Sequence, residues 1–143
     1  MIDPGTLPPR EIIARTLWGE ARGEGIAGMA AVAGVIANRV RSPRWWGKTV
    51  STVCLKPYQF SCWLKGDPNR DKLLTVTEAD RSYWLALEIA DELEDGRLRD
   101  VTAGADHYHS TRVQPEWSRG KTPVATIGVH RFYRLELSAP AAN

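Results

Sequence analysis

Leu17-Trp18-Gly19-Glu20-Ala21-Arg22-Gly23-Glu24-Gly25 is the stretch on which the reading of the whole chain turns. It closes a segment, residues 11–22, that is entered through Pro8 and Pro9 and meets no strong breaker until Gly19. Proline suits the first turn of a helix, so a short amphipathic helix is expected there. At about 100° per residue, Ile13, Leu17 and Glu20 fall within roughly 60° of one another, while Arg15 and Arg22 fall on the opposite side. Glu20 is therefore expected on the stripe that faces the core. Burial disfavours the charged form of a carboxyl, which suits the role of a general acid. The competing expectation is a carboxylate at the mouth of the core, held by a backbone amide or an arginine.

Outward from this stretch, residues 26–40 are rich in alanine and carry Gly28 and Gly34, which reads as a buried central helix packed against the first. Pro43 ends it, and a turn bearing Trp45 and Trp46 follows. Residues 49–55 form one or two helical turns, and 58–63 an irregular aromatic segment. Residues 65–72, with Gly66, Pro68 and Asn69, read as a surface loop. Residues 78–95 form the clearest helix, with a capping box over 75–78 and Tyr83, Leu87 and Ala90 on its apolar face. Beyond Gly96 the period shortens to two. Residues 102–110 and 127–137 are expected to pair as a small antiparallel β-hairpin beside a cleft, across the long segment 111–126. The fold class is α+β and mainly α. Residues 1–137 make one domain, and 138–143 are a small-residue tail expected to be disordered.

The 143 residues and 15.9 kDa suffice for one core without staples. Six tryptophans and four tyrosines serve that core and suit a sugar-binding cleft. The net charge is only +2, but Arg39, Arg41, Arg44 and Lys48 crowd one region and point to an anionic partner such as a cell envelope. Residues 39–48 also suit stacking and phosphate contacts with single-stranded nucleic acid, but the modest charge and the acidic run 91–95 argue against a nucleic-acid groove. No apolar run reaches membrane-span length, so stable membrane insertion is not expected. Residues 1–5 do not read as a signal peptide, so the new chain is expected in the cytoplasm. Cys54 and Cys62 fit no zinc or redox spacing and are expected as reduced thiols. No cofactor is implied, and a monomer is expected.

Glu24 lies one helical turn beyond Glu20, where two carboxylates on one face would disfavour each other's charge, but Gly23 interrupts the helix. A solvated carboxylate, or a partner for Arg22, is the alternative. His107 and His109 alternate on one strand and His130 sits on the other. Three imidazoles can form a zinc site with an open fourth position; otherwise they line a cleft wall with Tyr108 and Tyr133. Nucleophile elbow, phosphate loop and dinucleotide fingerprint are absent, as is the His-Glu-x-x-His zinc motif.

Taken together, residues 14–24, 30–40, Tyr58-Gln59-Phe60-Ser61, His107-Tyr108-His109, Pro115-Glu116-Trp117 and 127–133 resemble the cell-wall hydrolase family of the spore-cortex-lytic enzymes, over roughly residues 11–134. The resemblance implies a lysozyme-like fold, cleavage of peptidoglycan between N-acetylmuramic acid and N-acetylglucosamine, and Glu20 as the catalytic acid. Glu24, Asp67, Asp71 and Asp106 are candidates for a second carboxylate, as a muramidase requires. Without one, Glu20 acts first as acid and then as base toward the substrate's own 6-hydroxyl, the lytic transglycosylase route toward which the resemblance leans. Gln59, Ser61 and Tyr108 are expected to hydrogen-bond the sugar, Phe60 and Trp117 to stack on it, and His107, His109, His130 and Tyr133 to line the cleft. A leaderless wall hydrolase looks like a phage endolysin, held in the host cytoplasm until lysis and then acting at the cell wall. Two rivals remain: a metal-dependent wall amidase or peptidase using His107, His109 and His130, and a non-catalytic envelope- or nucleic-acid-binding module using residues 39–48.

Overall fold

The computed structural model describes residues 2–137; the expected disordered tail, 138–143, lies outside the described residues. Helix α1 runs Pro9–Ala21, with Pro9 in its first turn. Helix α2 runs Gly25–Arg41, and Gly25, at φ 69°, takes the left-handed turn that separates the two. Helix α3 (Val50–Leu55) starts from a Thr49 capping box. Helices α4 (Pro68–Thr75) and α5 (Arg81–Glu94) complete the helical layer.

The core lies between α1, α2 and α5. Ile12, Ile13 and Leu17 are fully buried on α1, as are Val32 and Ile36 on α2. Each such side chain contributes about 2 kcal/mol by leaving water. Small residues on α2 have a visible purpose at Gly34: a Cβ there would meet Asp100 Oδ1 at 2.8 Å. Asp100 in turn accepts from Asn38 and from the amides of Thr102 and Gly104, closing the turn that leads into the sheet.

Strands β1 (His107–Ser110), β2 (Ala125–Ile127) and β3 (His130–Tyr133) form one antiparallel sheet in the order β1-β3-β2. The expected pairing of the two segments is present, with Tyr108 opposite Phe132 and His109 opposite Arg131. The paired strands are shorter than expected, and β2 lies within the stretch read as a long connection plus the first residue of the second strand. The tight hairpin is therefore β2–β3, turning at Gly128 (φ 58°).

Three further local expectations are corrected. The presumed surface loop 65–72 contains the start of α4, because Asp67 accepts from the Asn69 amide at 2.8 Å and Pro68 occupies the first turn. Helix α5 begins at Arg81 with Asp80 as its cap, not at Glu78 with a box over 75–78; Asp80 accepts from the Tyr83 amide and from Trp18 Nε1. Arg15 does not face solvent. The elements covering that side of α1 bury it, and its guanidinium pairs with Glu11 at 3.1 Å, donates to the Leu73 carbonyl and lies 5.1 Å from the Tyr83 ring centre.

Candidate active site

Gly19 and Glu20 lie in the last turn of α1. The 3-10 turn Ser61–Trp63 packs so tightly on Gly19 that its Cys62 amide donates to Glu20 Oε2 at 3.2 Å. From the other side, the Tyr108 hydroxyl on β1 donates to Glu20 Oε1. One carboxyl is thus gripped by two hydrogen donors from different layers. Burial, and the neighbouring Glu20 carboxyl, push the Tyr108 phenol well above its ordinary value, so it stays protonated and donating. Phe60, Phe132 and the edge of His130 hold its ring at centroid distances of 6.3, 5.5 and 5.1 Å.

Beside Tyr108 opens a pocket of about 280 Å³. Arg39, Gln59 and Phe60 belong to its lining, with Tyr108, Trp45, His107 and Trp117, and Tyr58 is 81% exposed there. A larger cavity of about 670 Å³ lies beside the first half of α1, where Glu11 is already paired with Arg15. The smaller pocket is the one lined by Tyr108, whose hydroxyl donates to Glu20.

The other candidate carboxylates have different work. Glu24 follows α1 within a 3-10 turn, so it does not share Glu20's helical face. It accepts from the Val129 amide at 3.0 Å, and its Oε2 stands 2.8 Å from His130 Nδ1, poorly aligned for a hydrogen bond but at ion-pair distance when the imidazole is protonated. Arg22 is not its partner: that guanidinium lies over Trp18 and donates to Asn69. Asp67 caps α4, and Asp71 is exposed on that helix. Asp106 is fully buried and accepts from the amides of Leu135, Glu136 and Leu137 while standing 2.8 Å from His107 Nδ1. Burial opposes its charge, but these hydrogen bonds outweigh it and hold the carboxyl well below the usual carboxylate range.

The histidines point to different partners: His107 to Asp106, His109 to the Ser110 carbonyl and the Tyr133 hydroxyl, His130 to Glu24. Among the described residues no group of three or more His, Cys, Asp or Glu is placed to hold a metal ion. His107 lines the pocket, whereas His109, His130 and Tyr133 are buried around it and Ser61 is exposed. Trp117 spans this group, with His107, Tyr133 and His109 at 5.2, 5.4 and 5.5 Å. Cys54 and Cys62 are buried free thiols, as expected, and burial pushes Cys54 up to about 12.

Sequence reasoning missed the Cys62 amide, since a backbone donor leaves no mark in residue identity. It grouped Arg39 with a surface cluster and did not foresee that Tyr108 would reach Glu20.

Residues 23–133 match the family described as Cell Wall Hydrolase, and the chain belongs to that family. It is 31% identical over 123 residues to a spore cortex-lytic enzyme of Halalkalibacterium halodurans, covering 85% of this chain and 33% of that protein. A second, from Bacillus subtilis, is 28% identical over 127 residues, with 85% and 36% covered. The chain thus spans about a third of the length of the curated relatives it matches. Among solved structures it resembles the catalytic domain of the germination-specific lytic transglycosylase SleB from Bacillus anthracis, with a TM-score of 0.69 and 28% identity over 88% of this chain and 93% of that one. The catalytic domain of the Bacillus cereus SleB protein gives 0.67 and 27% over 88% and 89%. The expected architecture, lysozyme-like and mainly helical with a small antiparallel sheet, is the one observed.

Proposed function

We propose that this chain cleaves the glycan strand of peptidoglycan between N-acetylmuramic acid and N-acetylglucosamine, with Glu20 as general acid, by the lytic transglycosylase route. The observation that carries this is the Glu20 carboxyl, held between the Cys62 amide and the hydroxyl of the pocket-lining Tyr108, while Glu24 and Asp106 are committed to other partners.

The glycosidic oxygen is a poor leaving group until it is protonated. Glu20 gives it a proton as the bond to the anomeric carbon breaks, and an oxocarbenium-like muramyl sugar develops. Glu20 is then an anion. The Cys62 and Tyr108 donors stabilise that charge as it forms, which is where fixed donors contribute most. In this route the Glu20 carboxylate itself, not a second carboxylate, takes the proton of the muramyl 6-hydroxyl, whose oxygen closes on the anomeric carbon to give a 1,6-anhydro sugar. The Bacillus anthracis relative is itself described as a lytic transglycosylase, which supports this route.

Digestion of purified peptidoglycan followed by mass spectrometry tests the reading. Products lighter by one water than their hydrolytic counterparts, absent with Glu20→Gln, are expected; reducing ends would make the enzyme a muramidase, and full activity of Glu20→Gln would overturn the assignment. An endolysin setting, with lysis from the cytoplasm once the membrane is opened, is the biological role we attach to this chemistry. Lysis by the cytoplasmically expressed chain only after membrane permeabilisation is the result expected of it.

A further inference from the structure

Arg39, in the last turn of α2, is 4% exposed and lines the same pocket as Tyr108, the residue that donates to Glu20. Its guanidinium is fixed in place without being neutralised. Nε donates to the Asp106 carbonyl at 2.8 Å and Nη1 to Gln59 Oε1 at 3.3 Å. The rings of Trp46, Trp45 and Phe60 surround it at 5.1, 5.5 and 5.9 Å. Carbonyl oxygens and ring faces are dipoles and quadrupoles; they orient a cation but do not cancel its charge.

The carboxylates of Asp106 and Glu136 are engaged elsewhere. Asp106 spends its oxygens on His107 and three backbone amides. Glu136 accepts from Trp45 Nε1 and faces His107 at 3.7 Å. Arg39 makes no ion pair among the described residues. Burying a cation without a counter-charge is costly, and buried charges are ordinarily paired. The same chain supplies the contrast: Arg15, 7% exposed on α1, is paired with Glu11 at 3.1 Å.

The geometry points to Arg39 as the residue that reads a carboxylate carried on the muramyl sugar in this pocket, either its lactyl carboxylate or a carboxylate of its stem peptide. A guanidinium fits the task because its planar fork matches a carboxylate and is already oriented before the ligand arrives. The inference rests on the reading of the pocket as a glycan site and adds a selectivity to it: charged strands over strands whose carboxylates have been neutralised.

The test uses three peptidoglycan substrates: strands with intact stem peptides, strands whose peptides an amidase has removed to free the lactyl carboxylate, and strands whose carboxylates have been converted to amides with a carbodiimide. The wild-type enzyme is expected to favour the better of the two charged substrates over the amidated one by on the order of tenfold or more in kcat/KM. Whichever charged substrate carries the preference identifies the carboxylate. Arg39→Lys keeps part of it, and Arg39→Gln abolishes it, so that charged and amidated strands are cut with equal kcat/KM whatever the variant's absolute rate. Equal cleavage of all three by the wild type overturns the inference without any variant having to fold, as does an Arg39→Gln protein that retains the preference. Failure of the wild type to cleave any strand would remove the glycan reading as well, a different result from equal cleavage.

Discussion

A Cβ on Gly19 would stand 2.8 Å from the Cβ of Cys62 and 2.9 Å from its sulfur. That missing side chain lets the 61–63 turn settle on α1 and aim the Cys62 amide at Glu20. Alanine at a helical position normally adds up to about 1 kcal/mol of stability over glycine. Here Gly19→Ala is expected to lower Tm and, by displacing the turn, to cut kcat/KM by roughly 10- to 100-fold with helix content unchanged. Thermal unfolding and peptidoglycan turnover measured on one preparation check this; an unchanged Tm with full activity would show that the turn yields freely.

Tyr108→Phe keeps the ring between Phe60 and Phe132 and removes only the hydroxyl that donates to Glu20. Loss of one donor to a developing anion predicts a kcat lower by roughly 10- to 1000-fold with KM little changed. Because the phenol is held well above its ordinary value, the deficit is expected to be constant between about pH 5 and pH 9. A deficit that varies with pH across this range would contradict the assignment of Tyr108 as a permanent donor.

Asp106 governs acid stability. It ionises at lower pH in the folded protein than in the unfolded chain, so its contribution is complete above the ordinary carboxylate range near pH 4 and drains away as the pH falls through its depressed folded value. Asp106→Asn should destabilise the protein at neutral pH by about 3 kcal/mol, since it weakens the bonds to three amides and His107, and should flatten the acid limb of stability. Denaturant unfolding from pH 7 down to pH 3 provides the measurement.

The histidines separate the glycan-cleaving reading from its metal-dependent rival. Activity on peptidoglycan is expected to survive exhaustive chelation and to vanish with Glu20→Gln. His109→Ala removes the contacts with Tyr133 and Ser110 and is expected to lower Tm more than it lowers the rate per folded molecule. Loss of activity on chelation, restored by added zinc, would favour the amidase or peptidase.

The helices around Glu20 were legible because α1 and α2 carry long periodic or small-residue patterns whose ends are marked by proline and glycine. Arg15 and Arg39 were misplaced for one reason: an arginine looks the same on the surface as it does under a covering element far away in sequence. Asp67-Pro68-Asn69 misled because the same residue types cap a helix and make a turn. Strand β2, three residues long, is too short to show a period. At the site, Glu20 stood out through its place on an apolar stripe. The donors that hold it come from residues 42 and 88 positions away, and such long-range partners leave no local signature.

Glu24 does something that neither expectation for it included. Planted between α1 and α2, it fastens the β2–β3 turn through the Val129 amide and His130. This side chain ties the helical layer to the hairpin end of the sheet, as the Tyr108–Glu20 hydrogen bond ties it to β1. On the proposed glycan-cleaving reading, these ties would brace the two walls between which a sugar chain lies.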